Sequence, residues 1–222
     1  MTTVVPDGDI CEVVARASLL REKVAMTVVG GLLLMVGLAT ASFPESPTEV
    51  VRGTINEVIR ILEDPTLNAP SLRKPRRRLL EEVIGSRFDY EEMSKRTLGA
   101  YWHQLNGAEQ AEFVKLFKAF LSDRYASKIE GYSGEQVAYL SERTEGAYAE
   151  VRTKLVSSKV EIPMDYRLIA KAGRWYAYDV IVDGISLVKN YRSQFTGIIR
   201  SSSYAELVRR LKERSEIAAN HS

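Results

Sequence analysis

Residues 147–182 read AYAEVRTKLVSSKVEIPMDYRLIAKAGRWYAYDVIV, and their period decides the fold. Ala147, Ala149, Val151, Thr153 and Leu155 fall on one side, with Tyr148, Glu150, Arg152 and Lys154 on the other. Such strict alternation is a half-buried strand. Val160, Ile162, Met164, Tyr166 and Leu168 then alternate against Glu161, Asp165 and Arg167. Ala172-Gly173 makes a tight turn into Trp175–Val182. Upstream, Val137–Leu140 starts a strand, and Glu145-Gly146 turns it into the next. Connections this short join only antiparallel neighbours. The expectation is a four-stranded meander, ended by Asp183-Gly184, with one apolar face and one charged, solvated face.

Outside this stretch the period is 3.6. Thr48 can cap a helix carrying Val50, Val51, Ile55, Val58, Ile59 and Leu62, and Asp64-Pro65 ends it. Leu79, Leu80, Val83 and Ile84 mark a second helix closed by Gly85, and Asp89 opens a third. After Asn106-Gly107, the residues Phe113, Leu116, Phe117, Phe120, Leu121 and Tyr125 form the strongest apolar stripe of the chain. Ser186 caps a helix bearing Val188, Tyr191, Phe195 and Ile198; Ser203 caps a last one ending near Ile217, before a fraying tail at 218–222. Helices, strands, then helices predict an α+β fold: a curved four-stranded antiparallel sheet covered on one face by helices, with an apolar pocket between.

The 222 residues are 45% hydrophobic and 27% charged, the balance of a globular chain rather than a disordered or multi-span one. A net charge of +2 argues against a protein devoted to nucleic acid. Val24–Leu38, VAMTVVGGLLLMVGL, carries no charge; Arg21 and Lys23 precede it and Ala39-Thr40-Ala41 follows. A basic n-region, an apolar core and an A-x-A site read as a cleavable secretory signal peptide over 1–41; its n-region is unusually long, with Asp7, Asp9 and Glu12 in it, which leaves the start codon open. The competing reading is a retained anchor, because the uncharged run reaches Phe43. Cleavage would leave a single domain over 42–217 with net charge +3, outside the cytoplasm, and would remove Cys11, the one cysteine.

Chemistry-bearing clusters are scarce. His103 is the one histidine inside the predicted fold, and no serine lies in G-x-S-x-G. Ligands at metal-binding spacing are missing, so neither catalytic nor metal residues are expected. Asp89, Glu91 and Glu92 suit a helix start electrostatically. Lys74, Arg76, Arg77 and Arg78 form a basic run, readable as a solvated helix start or as a docking patch for anionic headgroups or an acidic partner. The apolar faces are the more telling feature. Phe117, Leu121, Val151, Leu155, Ile162, Met164, Tyr166, Tyr178 and Val180 are the candidates to line a pocket. Periodicity alone does not separate a lined cavity from a filled core.

Residues Trp175–Phe195, WYAYDVIVDGISLVKNYRSQF, carry a D-V-x-x-x-G-x-S-x-x-x-N-Y-R pattern. With Phe88-Asp89-Tyr90, Met93-Ser94, Leu98-Gly99, Trp102, Phe113 and Phe117 upstream, the chain from Pro47 to Arg214 resembles the MlaC family. These are the periplasmic phospholipid-binding components of the Mla transport system, also called the toluene-tolerance auxiliary family. The resemblance implies a periplasmic, non-catalytic carrier with phospholipid as cargo and no cofactor. It also implies partners at both membranes: an outer-membrane lipoprotein–porin complex and an inner-membrane ABC transporter with a substrate-binding ring. The pattern residues Trp175, Asp179, Gly184, Ser186, Asn190, Tyr191, Arg192 and Phe195 are expected to determine the fold, Asp179 pairing with Arg192 across the strand-to-helix corner. Lipid contacts are expected from the apolar faces, and hence with weak headgroup selectivity, since each buried CH₂ contributes about 0.8 kcal/mol. Open alternatives are a non-lipid-binding adaptor or a small enzyme of similar fold.

Overall fold

The computed structural model describes residues 45–221 except Lys159 and Val160, with side chains to Ser215. The expected leader over 1–41 and the strand position of Val160 therefore lie outside the described residues. Among the described residues six α-helices and five strands follow one another: α1 (Pro47–Glu63), α2 (Arg73–Gly85), α3 (Tyr90–Leu98), α4 (Gly107–Glu130), β1 (Gln136–Glu145), β2 (Tyr148–Val156), β3 (Glu161–Lys171), β4 (Arg174–Val182), β5 (Ile185–Ser186), α5 (Leu187–Ser201) and α6 (Tyr204–His221).

The helix starts are set by side-chain caps. Ser46, rather than Thr48, opens α1, because Glu49 sits three residues on and completes a capping box, with Pro47 in the first turn. Asn106 and Glu109 make the same reciprocal pair at α4. α6 runs to His221, past the expected end near Ile217, since Ala218 and Ala219 offer nothing to stop it.

The sheet is a five-stranded antiparallel meander in sequence order. The expected count of four missed β5. Asp183-Gly184 does not end the sheet; both residues have positive φ, 50° and 76°, and turn the chain into β5, which pairs Ser186 with Ile181. Ala172-Gly173, at φ 49° and 75°, does the same between β3 and β4. β1 is longer than its apolar start suggested and runs through the polar stretch Ser141–Glu145. Two bulges interrupt the ladders. One lies between Tyr139 and Ser141, leaving Leu140 without an opposite residue; the other leaves Tyr178 unpaired between Ala177 and Asp179.

Two separate hydrophobic clusters hold the chain. One is helical: Met93 and Leu98 of α3, Phe113, Phe117 and Leu121 of α4, Val188, Tyr191 and Phe195 of α5, and Leu207 and Leu211 of α6. The other places Val50 and Val51 of α1 against Ala149, Val151, Leu168 and Trp175 of the sheet. α1 is thus the direct cover of the apolar sheet face. The helical cluster meets the sheet at β4 instead, where Arg87 and Asp89 exchange backbone hydrogen bonds with Ala177 at 2.8 and 2.9 Å.

Candidate functional site

The register defines the apolar face residue by residue. Val151 lies opposite Tyr166, which lies opposite Val180; Thr153 lies opposite Met164, and Leu155 opposite Ile162. Tyr139 of β1 faces Thr153. α1 closes one end of this face. There Val151 is fully buried and Leu168 nearly so. At the other end Leu155, Val156, Ile162 and Met164 are all half-buried and belong to neither cluster. The same holds for Val58, Ile59 and Leu62 in the second half of α1 and for Val83 and Ile84 of α2.

The helices around that end are joined to one another. α1 packs on α2. Arg77 of α2 bonds Asp123 of α4 at 3.3 Å, and Arg73 lies 3.9 Å from Glu130. Tyr132, just after α4, donates to Glu63 at the end of α1 at 3.4 Å. Apolar side chains left half-exposed within a frame of linked helices are what a filled core does not show.

Polar groups on this face are few and neutral. The Thr153 hydroxyl donates to the Met164 carbonyl at 2.5 Å, and Tyr166 donates to the Met164 sulfur at 3.0 Å. Burial pushes the Tyr166 phenol well above its ordinary range. Burial also raises Tyr139, against the Arg52 guanidinium that lies 4.3 Å over its ring. The Tyr139 hydroxyl is buried and finds no hydrogen-bond partner among the described residues.

Among the expected pocket residues, Val151, Leu155, Ile162, Met164, Tyr166 and Val180 share this face. Phe117 and Leu121 do not join them; they are buried in the helical cluster. Tyr178 is also elsewhere. As the bulged residue it turns to the opposite face, where it meets Tyr148 edge-on at 6.1 Å and Arg96 stacks over it at 4.2 Å. Among the described residues no enclosed pocket is shown. The two surface hollows that stand out, of about 420 and 650 Å³, lie on α5 and between α4 and Lys212, and none of the expected pocket residues lines either.

The pattern residues of the β4–α5 corner form a hydrogen-bonded joint. Asp179 is buried and accepts from the Ser186 hydroxyl at 2.6 Å and from the Val188 N–H at 3.0 Å, while Ser186 caps α5 through Lys189 N–H. The cation beside Asp179 is Arg167, at 3.4 Å, and not the expected Arg192. Arg192 is exposed and lies over Gly99, whose φ is 59°; a Cβ there would stand 2.8 Å from the guanidinium. The basic run is partly consumed within the fold: Arg76 donates to Asn68, and Arg77 is held by Glu81 and Asp123. Lys74 and Arg78 stay exposed. His103 is exposed on a short 3₁₀ turn. No group of three or more His, Cys, Asp or Glu side chains among the described residues is arranged to hold a metal ion. No helix among them is long and apolar enough to cross a membrane.

Fold and site together define an α+β scaffold whose apolar sheet face, among the described residues, is sealed by α1 at one end. The family model described as MlaC protein matches residues 52–213, and the chain belongs to that family. A Haemophilus influenzae protein named as the MlaC binding protein of an intermembrane phospholipid transport system is 21% identical over 129 residues, 55% of this chain and 60% of its own length. The chain thus spans less than two thirds of that relative. The toluene tolerance protein ttg2D of Pseudomonas putida is 26% identical over 174 residues, 74% of this chain and 79% of its own. A phospholipid-binding protein of Ralstonia solanacearum, solved in complex with a phospholipid, superposes with a TM-score of 0.68 at 26% identity, covering 77% of this chain and 97% of that one.

Proposed function

We propose that the chain is a periplasmic phospholipid carrier. Acyl chains lie against the half-buried end of the apolar face, among Leu155, Ile162, Met164 and the second half of α1. The observation that carries the reading is the Ralstonia relative, which shares the fold and holds a phospholipid. The exposure pattern supports the placement: this end of the sheet has apolar side chains that are only half-buried. A cargo ester carbonyl would also give the buried Tyr139 hydroxyl the partner it lacks. The selection is for acyl chains, with weak headgroup preference and no covalent chemistry or cofactor. Transfer runs between an outer-membrane lipoprotein–porin complex and an inner-membrane ABC transporter with a substrate-binding ring, after export directed by residues 1–41.

Native mass spectrometry of the purified protein, followed by organic extraction, tests this reading. The expected result is a folded protein holding about one phospholipid, with extracted headgroups in membrane proportion. A folded protein that is empty, and stays empty after incubation with phospholipid vesicles, would overturn it.

A further inference from the structure

The outer face of α5 differs from the other charged surfaces of the molecule. On α1, α2, α3 and α6, arginines pair with carboxylates of their own helix: Arg60 with Glu57, Arg77 with Glu81, Arg96 with Glu92, and Arg209 and Arg210 with Glu206. α5 contains Lys189, Arg192 and Arg200 and no acidic residue. Their side chains make no ion pair among the described residues. The three lie at i, i+3 and i+11, on one side of the helix, over roughly 16 Å. The opposite side, Val188, Tyr191 and Phe195, is buried in the helical cluster and fixes the orientation of this face.

The face is also shaped. Ser193, Thr196 and Gly197 lie between the cations and complete a hollow of about 420 Å³. Gly99, by having no Cβ, gives the Arg192 guanidinium its resting place at the edge of that hollow. Ile185, in β5 four residues before Lys189, is 60% exposed, a large apolar side chain offered to solvent.

We propose that this face docks the protein on bilayers bearing anionic phospholipid headgroups. Guanidinium and ammonium groups meet the phosphates, the Ser193 and Thr196 hydroxyls donate to phosphate oxygens, and Ile185 enters the interface. A bilayer fits better than an acidic protein, because the lining has no aromatic or apolar centre of the kind that anchors protein–protein contacts. The proposal does not depend on what fills the sheet-face cleft. Its test reads vesicle partition and no lipid uptake, so its failure leaves the carrier reading standing.

The test measures partition of the full chain into phosphatidylcholine vesicles with and without about one third phosphatidylglycerol. The readout is the gain on adding the anionic lipid, so the contribution of residues 24–38 to neutral vesicles is subtracted. Each cation near such a surface contributes about fivefold. Lys189→Gln/Arg192→Gln/Arg200→Gln should therefore lose roughly 30- to 100-fold of the gain, and the wild-type gain should fall with salt. Lys189→Gln/Arg200→Gln, which leaves the Arg192–Gly99 contact intact, should lose roughly 10- to 25-fold. Lys74→Gln/Arg78→Gln/Arg214→Gln removes the same charge elsewhere and should lose only a few-fold. Equal losses in both triple variants, or an unchanged gain in the α5 variants, would overturn the proposal. So would α5-dependent binding to poly-L-glutamate without α5-dependent binding to vesicles, which would assign the face to an acidic protein.

Discussion

The two hydrophobic clusters use similar residues and reach different ends. In the helical cluster, Phe117 touches Phe113, Phe120, Tyr191 and Phe195 with ring centroids 5.6–6.4 Å apart, and both Phe113 and Phe117 are fully buried. Residues of α3, α4, α5 and α6 converge there. The sheet cluster has one helix to cover a five-stranded face. Val50 and Val51 seal one end, and beyond them apolar residues stay half-exposed. The aromatic cluster holds the fold, and the incompletely covered sheet is where the proposed site lies.

Truncation on each side should break this contrast most visibly. Phe117→Ala removes a fully buried ring and should cost about 3–5 kcal/mol in urea unfolding. Ile162→Ala, at the half-buried end, should cost about 1 kcal/mol or less in lipid-free protein, because part of that surface is already in water. Equal losses would mean the sheet end is a packed core. Tryptophan insertions sharpen the point on one strand. Val151→Trp adds volume under α1 and should destabilise by roughly 1–3 kcal/mol. Leu155→Trp, on the same face and same strand, should fold with near-normal stability and lose bound phospholipid in native mass spectrometry. If Leu155→Trp still carries a full complement of lipid, the cleft lies elsewhere.

Much of the fold was legible in the sequence because alternation and 3.6-residue periodicity each report one buried side. The α+β class and the hairpin turns at Gly146 and Ala172-Gly173 were visible in this way. β5 was not, because a two-residue strand carries no period; only the Asp183-Gly184 pair, a hairpin-turn signature, hinted at it. Tyr178 was placed on the wrong face because a bulge shifts alternation by one residue, and Tyr-Asp at the bulge gives no sign of it. Phe117 and Leu121 illustrate a different limit. An apolar stripe shows that a helix is buried but not against what, and here the partners are α3, α5 and α6 rather than the sheet. Asp179 was legible as a corner residue. Its cation was not, since Arg167 approaches through strand pairing and Arg192 stands on the outer side of α5.

The smallest effect expected is also the most local. All 11 tyrosines lie within the described residues, and burial raises several of them. In and around the helical cluster Tyr90 is pushed up to about 12 by burial and then by the charge of Glu81; Tyr204 reaches about 12 through burial and the charges of Glu109 and Glu112. Tyr191 goes higher still, through burial and its contact with Tyr125. A phenol whose folded pKa is raised favours the neutral form. Its contribution to stability is complete below pH 10 and is lost as pH rises from 10 through about 12. The three should therefore ionise together with alkaline unfolding, followed by near-ultraviolet absorbance. Tyr139, on the sheet face, is raised by burial but partly opposed by Arg52, so it should ionise earlier, in the folded protein. Bound phospholipid would desolvate it further. The step assigned to Tyr139, isolated as the difference from Tyr139→Phe, should move to higher pH in lipid-loaded protein. A cargo that leaves this step in place would be seated away from β1, and the cleft would then be bounded by β3, β4 and the second half of α1.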